Sequence, residues 1–252
     1  EVTCIERAPD GAIWVGTRAG IARFLRERST IRRGRRWLVG DEVRDISFDR
    51  AGSAWIATAG GISELRPQQM TLASKAAHYH AICEARHVRP PGIVEKCRLR
   101  VPGDLSTWEP QDDDNDGGYT AVYLAMESFR YSATRSPVAL ENARRAFGAM
   151  EFLQRVTGTP GFIARTAIPV EWNRMADPNE SLPPAEIAER RVSDPRYKDV
   201  PDRWRVSADG RWRWKGDTRS DEITAHLFGC FFHVLMRPVP IPCRVGIHSA
   251  AG

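Results

Sequence analysis

VTCIERAPDGAIWVGTRAGIARF (residues 2–24) and VRDISFDRAGSAWIATAGGISEL (residues 43–65) are two copies of one pattern. Displacing the first by 41 positions lays Val2 on Val43, Ile5 on Ile46, Gly11 on Gly52 and Trp14 on Trp55. It also lays Thr17 on Thr58, Gly20 on Gly61 and Ile21 on Ile62. Asp10-Gly11 is a tight hairpin turn, because glycine accepts the positive φ such turns demand. Ile13 and Val15 alternate with Trp14 and Gly16, so opposite faces of one strand are presented to different neighbours. Each copy is therefore expected to be an antiparallel sheet of three or four strands, with Trp14 and Trp55 at equivalent places. No helix is expected within 12–24 or 53–65.

Working outward, the period changes from 2 to 3.6 at about Thr71. Leu72, Ala76, Tyr79 and Cys83 mark the apolar face of a first helix, which ends before Pro90-Pro91. Tyr119, Val122, Tyr123, Met126, Phe129 and Ala133 mark a second. Ser136 as N-cap and Pro137 at the first helical position open a third. Its stripe is Leu140, Ala143, Phe147, Met150 and Leu153, and Gly158 before Pro160 ends it. Residues 159–219 read as a long irregular segment rich in proline. A fourth helix begins near Ser220, with Ile223, Leu227, Cys230, Phe231 and Val234 on its apolar side. After Met236, Pro238, Pro240 and Pro242 forbid helix, and residues 237–252 read as an irregular tail where the native reading frame is lost or the chain stops early.

Composition narrows the function. The chain has 252 residues, 42% hydrophobic, which suffices for one or two globular domains. No stretch approaches the roughly 18 apolar residues of a membrane helix, and the charged, strand-like opening around Glu1 and Glu6 is not expected to be a signal peptide. The net charge of +5 is carried almost wholly by arginine, with only Lys75, Lys96, Lys198 and Lys215 as lysines. One cluster, Arg23, Arg26, Arg28, Arg32, Arg33, Arg35 and Arg36, would meet phosphate or a polyuronate, or else is a solvated loop. No nucleic-acid motif accompanies it, so nucleic acid is not expected. Five scattered cysteines without CxxC spacing argue against a zinc site and a dense disulfide framework.

A repeat of about 40 residues with a hairpin glycine and an aromatic is the mark of a β-propeller blade. The WxGT/WxAT-x-x-G pattern of residues 1–66 resembles the two-component regulator propeller repeats of bacterial sensor ectodomains and related extracellular proteins. Two blades cannot close a ring, so missing blades are expected in the full-length protein. The stretches DNDGGYTAVYLAMESFRY (114–131), RVTGTPGFIARTAIP (155–169) and WRWKGDTRSDEITAH (212–226) resemble the α/α-toroid (six-hairpin) group, which includes polysaccharide lyases and glycoside hydrolases. The expected fold is multi-domain β + α. Residues 1–66 are two propeller-type blades, and residues 67–236 are an incomplete antiparallel α/α-toroid whose missing helices lie elsewhere in the full-length protein. The resemblance implies a periplasmic or extracellular setting.

Three groups of residues carry candidate chemistry. Asp112, Asp114, Asp116 and Gly117 match positions 1, 3, 5 and 6 of a calcium loop, although Tyr123 replaces the Glu of position 12. The alternative is a polar loop capping the helix near Gly118, with Asp116 as a candidate catalytic carboxylate. Asp217, Glu222 and His226 form the main catalytic candidate: Glu222 and His226 stand four apart on one helix face, a carboxylate beside an imidazole suits proton transfer, and Asp217 adds a second carboxylate. The competing reading is helix capping by Ser220, Asp221 and Glu222. Arg165 and Lys215 are candidates for binding a substrate carboxylate, and Trp212 and Trp214, with Trp172 and Trp204, for stacking on sugar rings or for filling a core. His78 and His80 point apart and are not metal ligands.

Two function classes follow: a lyase or glycoside hydrolase acting on an anionic polysaccharide or oligosaccharide by carboxylate/His acid–base chemistry, and a non-catalytic glycan-binding or sensor module. If the first holds, Asp116, Arg165, Asp217, Glu222 and His226 gather at one end of the helical domain, because loops of one end build such a site.

Overall fold

The computed structural model describes residues 1–236, so the irregular tail lies outside the described residues. The chain divides into two compact units, Glu1–Tyr79 with Val101–Leu105, and His80–Arg100 with the chain from Ser106 onward. The division falls inside a helix, α1 (Leu72–Arg86), rather than at residue 66. The fold is mixed β and α, with several small antiparallel sheets, none closed.

In the first unit, β1 (Val2–Arg7), β2 (Ile13–Thr17), β3 (Gly20–Leu25) and β4 (Arg28–Arg32) form one sheet, and β5 (Val43–Phe48), β6 (Ala54–Thr58) and β7 (Gly61–Leu65) a second. The two copies share their register down to a defect. Val2 pairs with Thr17 and Val43 with Thr58, and each sheet has an irregularity directly afterwards, between Val2 and Cys4 and between Val43 and Asp45. Gly11 and Gly52 take φ 83° and 84° at the hairpin turns. Thr17 Oγ1 donates to the Gly20 carbonyl at 2.8 Å and Thr58 Oγ1 to that of Gly61 at 2.9 Å. Trp14 and Trp55 occupy equivalent places, opposite Glu6 and Ser47.

Their surroundings differ. Ile46 is 3% exposed and its counterpart Ile5 64%, whereas Ile21 is 1% exposed and its counterpart Ile62 71%. Opposite faces of the two sheets are therefore buried. The Trp14 face of the first sheet and the Ile46 face of the second meet in one apolar core with Ala12, Ile21, Val43 and Ile56. Gly16 stands where the second copy has Ala57, and a Cβ at Gly16 would lie 2.4 Å from Cys4 Sγ and 2.7 Å from Val43 Cγ1.

The second unit is less helical than its periodicity suggests. After α1 come two short hairpins, β8 (Val88–Arg89) with β9 (Ile93–Val94), and β10 (Lys96–Leu99) with β11 (Trp108–Gln111). α2 (Asp116–Thr134) and α3 (Pro137–Arg155) then form a helical hairpin. Arg135 in the left-handed region ends α2, and the Ser136 side chain accepts from Ala139 N–H to start α3. The segment read as irregular contains β12 (Ala167–Pro169), α4 (Pro184–Ser193), β13 (Trp204–Val206) and β14 (Trp212–Lys215), the strands forming a sheet in the order β12-β14-β13. α5 (Ser220–Leu235) closes the described chain. Among the described residues no helix is long and apolar enough to cross a membrane.

The apolar stripes expected of α2 and α5 lie largely on their exposed sides. Val122, Met126 and Phe129, and Ile223, Leu227, Phe231 and Val234, are exposed. The buried side of α5 is Glu222, His226, Gly229 and His233, and that of α2 includes Asp116, Thr120, Ala121, Glu127 and Ser128. The reason is close approach. A Cβ at Gly229 would lie 2.9 Å from the Ala121 carbonyl oxygen, so only small residues fit where these helices meet. The larger groups along the seam are polar, and one pair bonds across it: Ser128 Oγ and His233 Nδ1 are 2.9 Å apart. Contacts from Gly118 to Ala225, Ala121 to Gly229 and Ser128 to His233 advance together, so α2 and α5 run parallel.

Candidate functional site

The N-termini of α2 and α5 lie together, and the turn after α3 comes to them. Gly117 N–H donates to the Arg165 carbonyl at 3.1 Å, and Arg165 and Thr166 exchange backbone bonds with Lys215 at 2.9 and 3.0 Å. The structure thus brings Asp116, Arg165, Lys215, Asp217, Glu222 and His226 to one place. Gly117 is the tightest point: a Cβ there would lie 2.5 Å from Glu222 Oε2 and 3.0 Å from His226 Nε2.

Burial sets the protonation of this group. Glu222 and His226 are each 2% exposed. Desolvation raises the Glu222 carboxyl to about 7, against a smaller opposing effect of the Arg165 charge. Desolvation alone lowers His226 to about 4, and among the described residues neither ring nitrogen has a hydrogen-bond partner. Asp116 is fully buried, and burial holds its carboxyl well above the usual range although Thr166 Oγ1 donates to it at 2.6 Å.

The carboxylates expected to form a calcium loop go to different partners. Asp112 accepts from Ala176 N–H, Asp116 from Thr166 and from Asp113 N–H, and Asp114 pairs with Lys215. Gly117 lies within α2 rather than at a loop's sharp turn, because the helix starts at Asp116. The acidic cluster that does form is Asp114, Asp177 and Asp217, with one oxygen of each within 4.8 Å of the others. Lys215 Nζ, 1% exposed, bonds Asp114 and lies 2.9 Å from Asp177, and Arg165 Nη1 lies 3.3 Å from Asp114 and 3.6 Å from Asp217. Three cations, Lys215, Arg165 and Arg203, already serve these three acids, so the residues do not fit a resident metal ion. Burial lowers the pKa of Lys215, but Asp114 and Asp177 more than offset this and raise it.

The expected substrate-binding residues therefore hold the protein's own carboxylates. Arg165 is 3% exposed, and its Nε donates to the Asp114 carbonyl at 2.9 Å. Trp214 is buried edge-on against Phe162, and Trp212 packs on Phe152, so both serve the core. Trp204 is buried too, bracketed by Asn179, while Trp172 lies half-buried under the Arg89 guanidinium.

A cleft of about 660 Å³ opens above the acidic cluster, lined by Asp114, Asp177, Asp217 and, from α4 onward, Arg190, Arg196, Tyr197, Lys198, Arg203 and Arg219. Asp177 pairs with Arg203 and Arg190 with Glu186. Among the described residues Lys198 and Arg219 have no ion-pair partner, and Asp217 Oδ1 accepts no hydrogen bond. Asp177, Lys198, Arg203 and Arg219 escaped sequence reasoning because they lie on irregular backbone or at its junction with a helix. The one local signal is Asp177-Pro178-Asn179, whose Asp177 takes φ 52°. No protein-family model matches the chain, and no curated protein matches it.

Proposed function

We propose that the second unit handles an anionic polysaccharide in the cleft above Asp217. The observation that carries this reading is the presence in one cleft of two cations without an ion-pair partner among the described residues, Lys198 and Arg219, and of Asp217, whose side chain is 13% exposed at the cleft wall and whose buried Oδ1 accepts no hydrogen bond. Lys198 and Arg219 would neutralise substrate carboxylates, Arg219 standing as N-cap of α5 where the helix dipole also favours an anion. Asp217 would act as the acid–base carboxylate, with Arg165 holding it in place. Glu222 and His226, sealed beneath Gly117, are positioning residues in this scheme and do not touch the sugar. In a lyase, Asp217 removes the C5 proton beside the neutralised uronate, the C4–C5 double bond forms as the C4–O bond breaks, and the departing glycosidic oxygen takes the proton back from Asp217. In a hydrolase, Asp217 protonates that oxygen as water attacks the anomeric carbon, and the proton the water loses is returned to Asp217 through solvent.

The burial of Glu222 and His226 favours a second reading, a glycan-binding module without catalysis, since the expected acid–base pair is out of reach of a polymer. Incubation with polygalacturonate or alginate distinguishes them. A lyase raises the ultraviolet absorbance of an unsaturated uronate, a hydrolase raises reducing ends only, and a binding module retards the protein in affinity electrophoresis with no product. Loss of both product and retardation in wild type sinks the reading. Asp217→Asn should abolish product and leave retardation intact.

We read the first unit as two propeller-type blades and the helices of the second as part of an α/α-toroid, supported by the shared 41-residue register and by α2, which packs between its antiparallel hairpin partner α3 and the parallel α5. A periplasmic or extracellular setting goes with this reading.

A further inference from the structure

The first unit contains a cavity of about 610 Å³ whose lining includes Trp14, Arg23, Arg32, Arg36, Trp37 and Phe48. The acids in this lining are taken. Asp10 pairs with Arg23 at 2.6 Å and Glu64 with Arg66 at 2.9 Å. Arg32 and Arg36 are left over: among the described residues neither has an ion pair. Instead the Arg32 guanidinium lies over two indoles, 5.4 Å from the Trp14 ring centre and 5.2 Å from that of Trp37, and Arg36 lies 5.4 Å from Trp37. Stacking on aromatic faces holds a guanidinium plane while leaving its N–H edge available to a planar oxyanion.

A second observation points the same way. Trp14 is 7% exposed, and its indole N–H is buried with no acceptor among the described residues. A buried donor without a partner is uncommon in folded chains and calls for an acceptor. Burial, together with the charge of Arg23, lowers the pKa of the Arg32 guanidinium, so a bound anion would relieve both.

We propose that this cavity is a binding site for a carboxylated sugar ring. Arg32 and Arg36 form the fork for the carboxylate, the Trp14 N–H donates to a ligand oxygen, and Trp37 and Phe48 supply apolar surface for the ring's C–H face. Inorganic phosphate would satisfy the cations but has no apolar body to fill the aromatic part. The site lies wholly in the first unit and does not depend on the chemistry of the Asp217 cleft.

Calorimetric titration of the whole chain with digalacturonate, with a neutral galactose disaccharide and with inorganic phosphate tests it. Saturable digalacturonate binding is expected, about 10-fold tighter than either control, because a charge-assisted bond contributes that order of affinity. Arg32→Gln and Arg36→Gln should each weaken it about 10-fold, and Trp14→Phe should weaken it while keeping the ring. Near-ultraviolet dichroism like that of wild type shows that the variants fold. Asp217→Asn should leave this binding unchanged. Equal binding of the neutral sugar or of phosphate overturns the ligand assignment. Binding insensitive to Arg32→Gln and Arg36→Gln but lost when Lys198 and Arg219 are both changed to Gln overturns the site and leaves the Asp217 cleft standing.

Discussion

Replacing Gly117 with alanine should destabilise the protein even though the position is helical. Alanine ordinarily gains about 0.5–1 kcal/mol over glycine inside a helix. At Gly117 the new Cβ would lie 2.5 Å from Glu222 Oε2, 3.0 Å from His226 Nε2 and 3.3 Å from the Arg165 carbonyl oxygen. The carboxylate end of Glu222 is flexible in principle, but it is buried and the Arg165 carbonyl is main chain. Overpacking of this kind costs about 1–3 kcal/mol, so a net loss of up to about 2.5 kcal/mol remains after the helix gain. Gly118 is the matched control, since its Cβ would meet Glu222 Oε1 at 3.6 Å and Ala225 Cβ at 3.8 Å, both ordinary contacts. Gly118→Ala should therefore stabilise by about 0.5–1 kcal/mol. Urea unfolding read by hydrogen exchange of α2 and α5 peptides isolates the second unit from the first. The order should be Gly118→Ala above wild type above Gly117→Ala. In a Glu222→Ala background the Gly117→Ala penalty should shrink by about 0.5–2 kcal/mol, the coupling expected of direct contacts. A Gly117→Ala protein as stable as Gly118→Ala would show that Glu222 and His226 do not pack on the start of α2.

The same pair governs a pH response. Glu222 holds its proton up to about 7 in the folded chain against 4.5 unfolded, so its contribution is full below 4.5 and is lost as pH rises towards 7, on the order of 3 kcal/mol. His226, lowered to about 4 from 6.5, contributes above 6.5 and loses this as pH falls towards 4. Relative to wild type, Glu222→Gln should become more stable as pH rises from 4.5 to 7, and His226→Gln should become more stable as pH falls from 6.5 to 4; slopes of equal sign in chemical-denaturation series would refute this. Lys215→Met removes the ammonium from the Asp114, Asp177 and Asp217 cluster, so calcium should raise the unfolding temperature of the variant and not of wild type; equal shifts would refute it. In the first unit, Gly16→Ala should cost about 1–3 kcal/mol by overpacking against Cys4 and Val43, and Ala57→Gly no more than about 1 kcal/mol, measured by thermal unfolding.

The repeat was legible because backbone geometry imposed it. Hairpin glycines at Gly11 and Gly52, strand alternation and the recurring Thr17 and Thr58 bonds each leave a residue-level mark. Which face of each sheet is buried was not legible from alternation, since both faces carry apolar residues. The positions of α2, α3 and α5 followed from period and caps, as at Ser136-Pro137, whereas α4 lay in the segment read as irregular. The buried side of α5 did not, because Gly229 and Ala121 set the approach and leave the larger apolar residues outside. The meeting of Asp116, Arg165, Asp217, Glu222 and His226 followed from topology. The internal role of Arg165 and Lys215 required knowing that Asp114 and Asp177 reach them across long sequence separations.

The two sheets of the first unit meet through non-identical faces, and each face left outside is the counterpart of one already inside. Such a stack tolerates change of copy number. A tandem duplication of the 41-residue segment would place a new sheet between surfaces that already recognise one another, with no interface to invent. Because its contacts would reach only adjacent sheets, sequence separation between partners would stay constant as copies accumulate, and so would the entropic barrier to adding each one. Length in this unit is thus an evolutionarily cheap variable, whereas the α2–α5 seam of the second unit, fixed by single atoms at Gly117 and Gly229, is not.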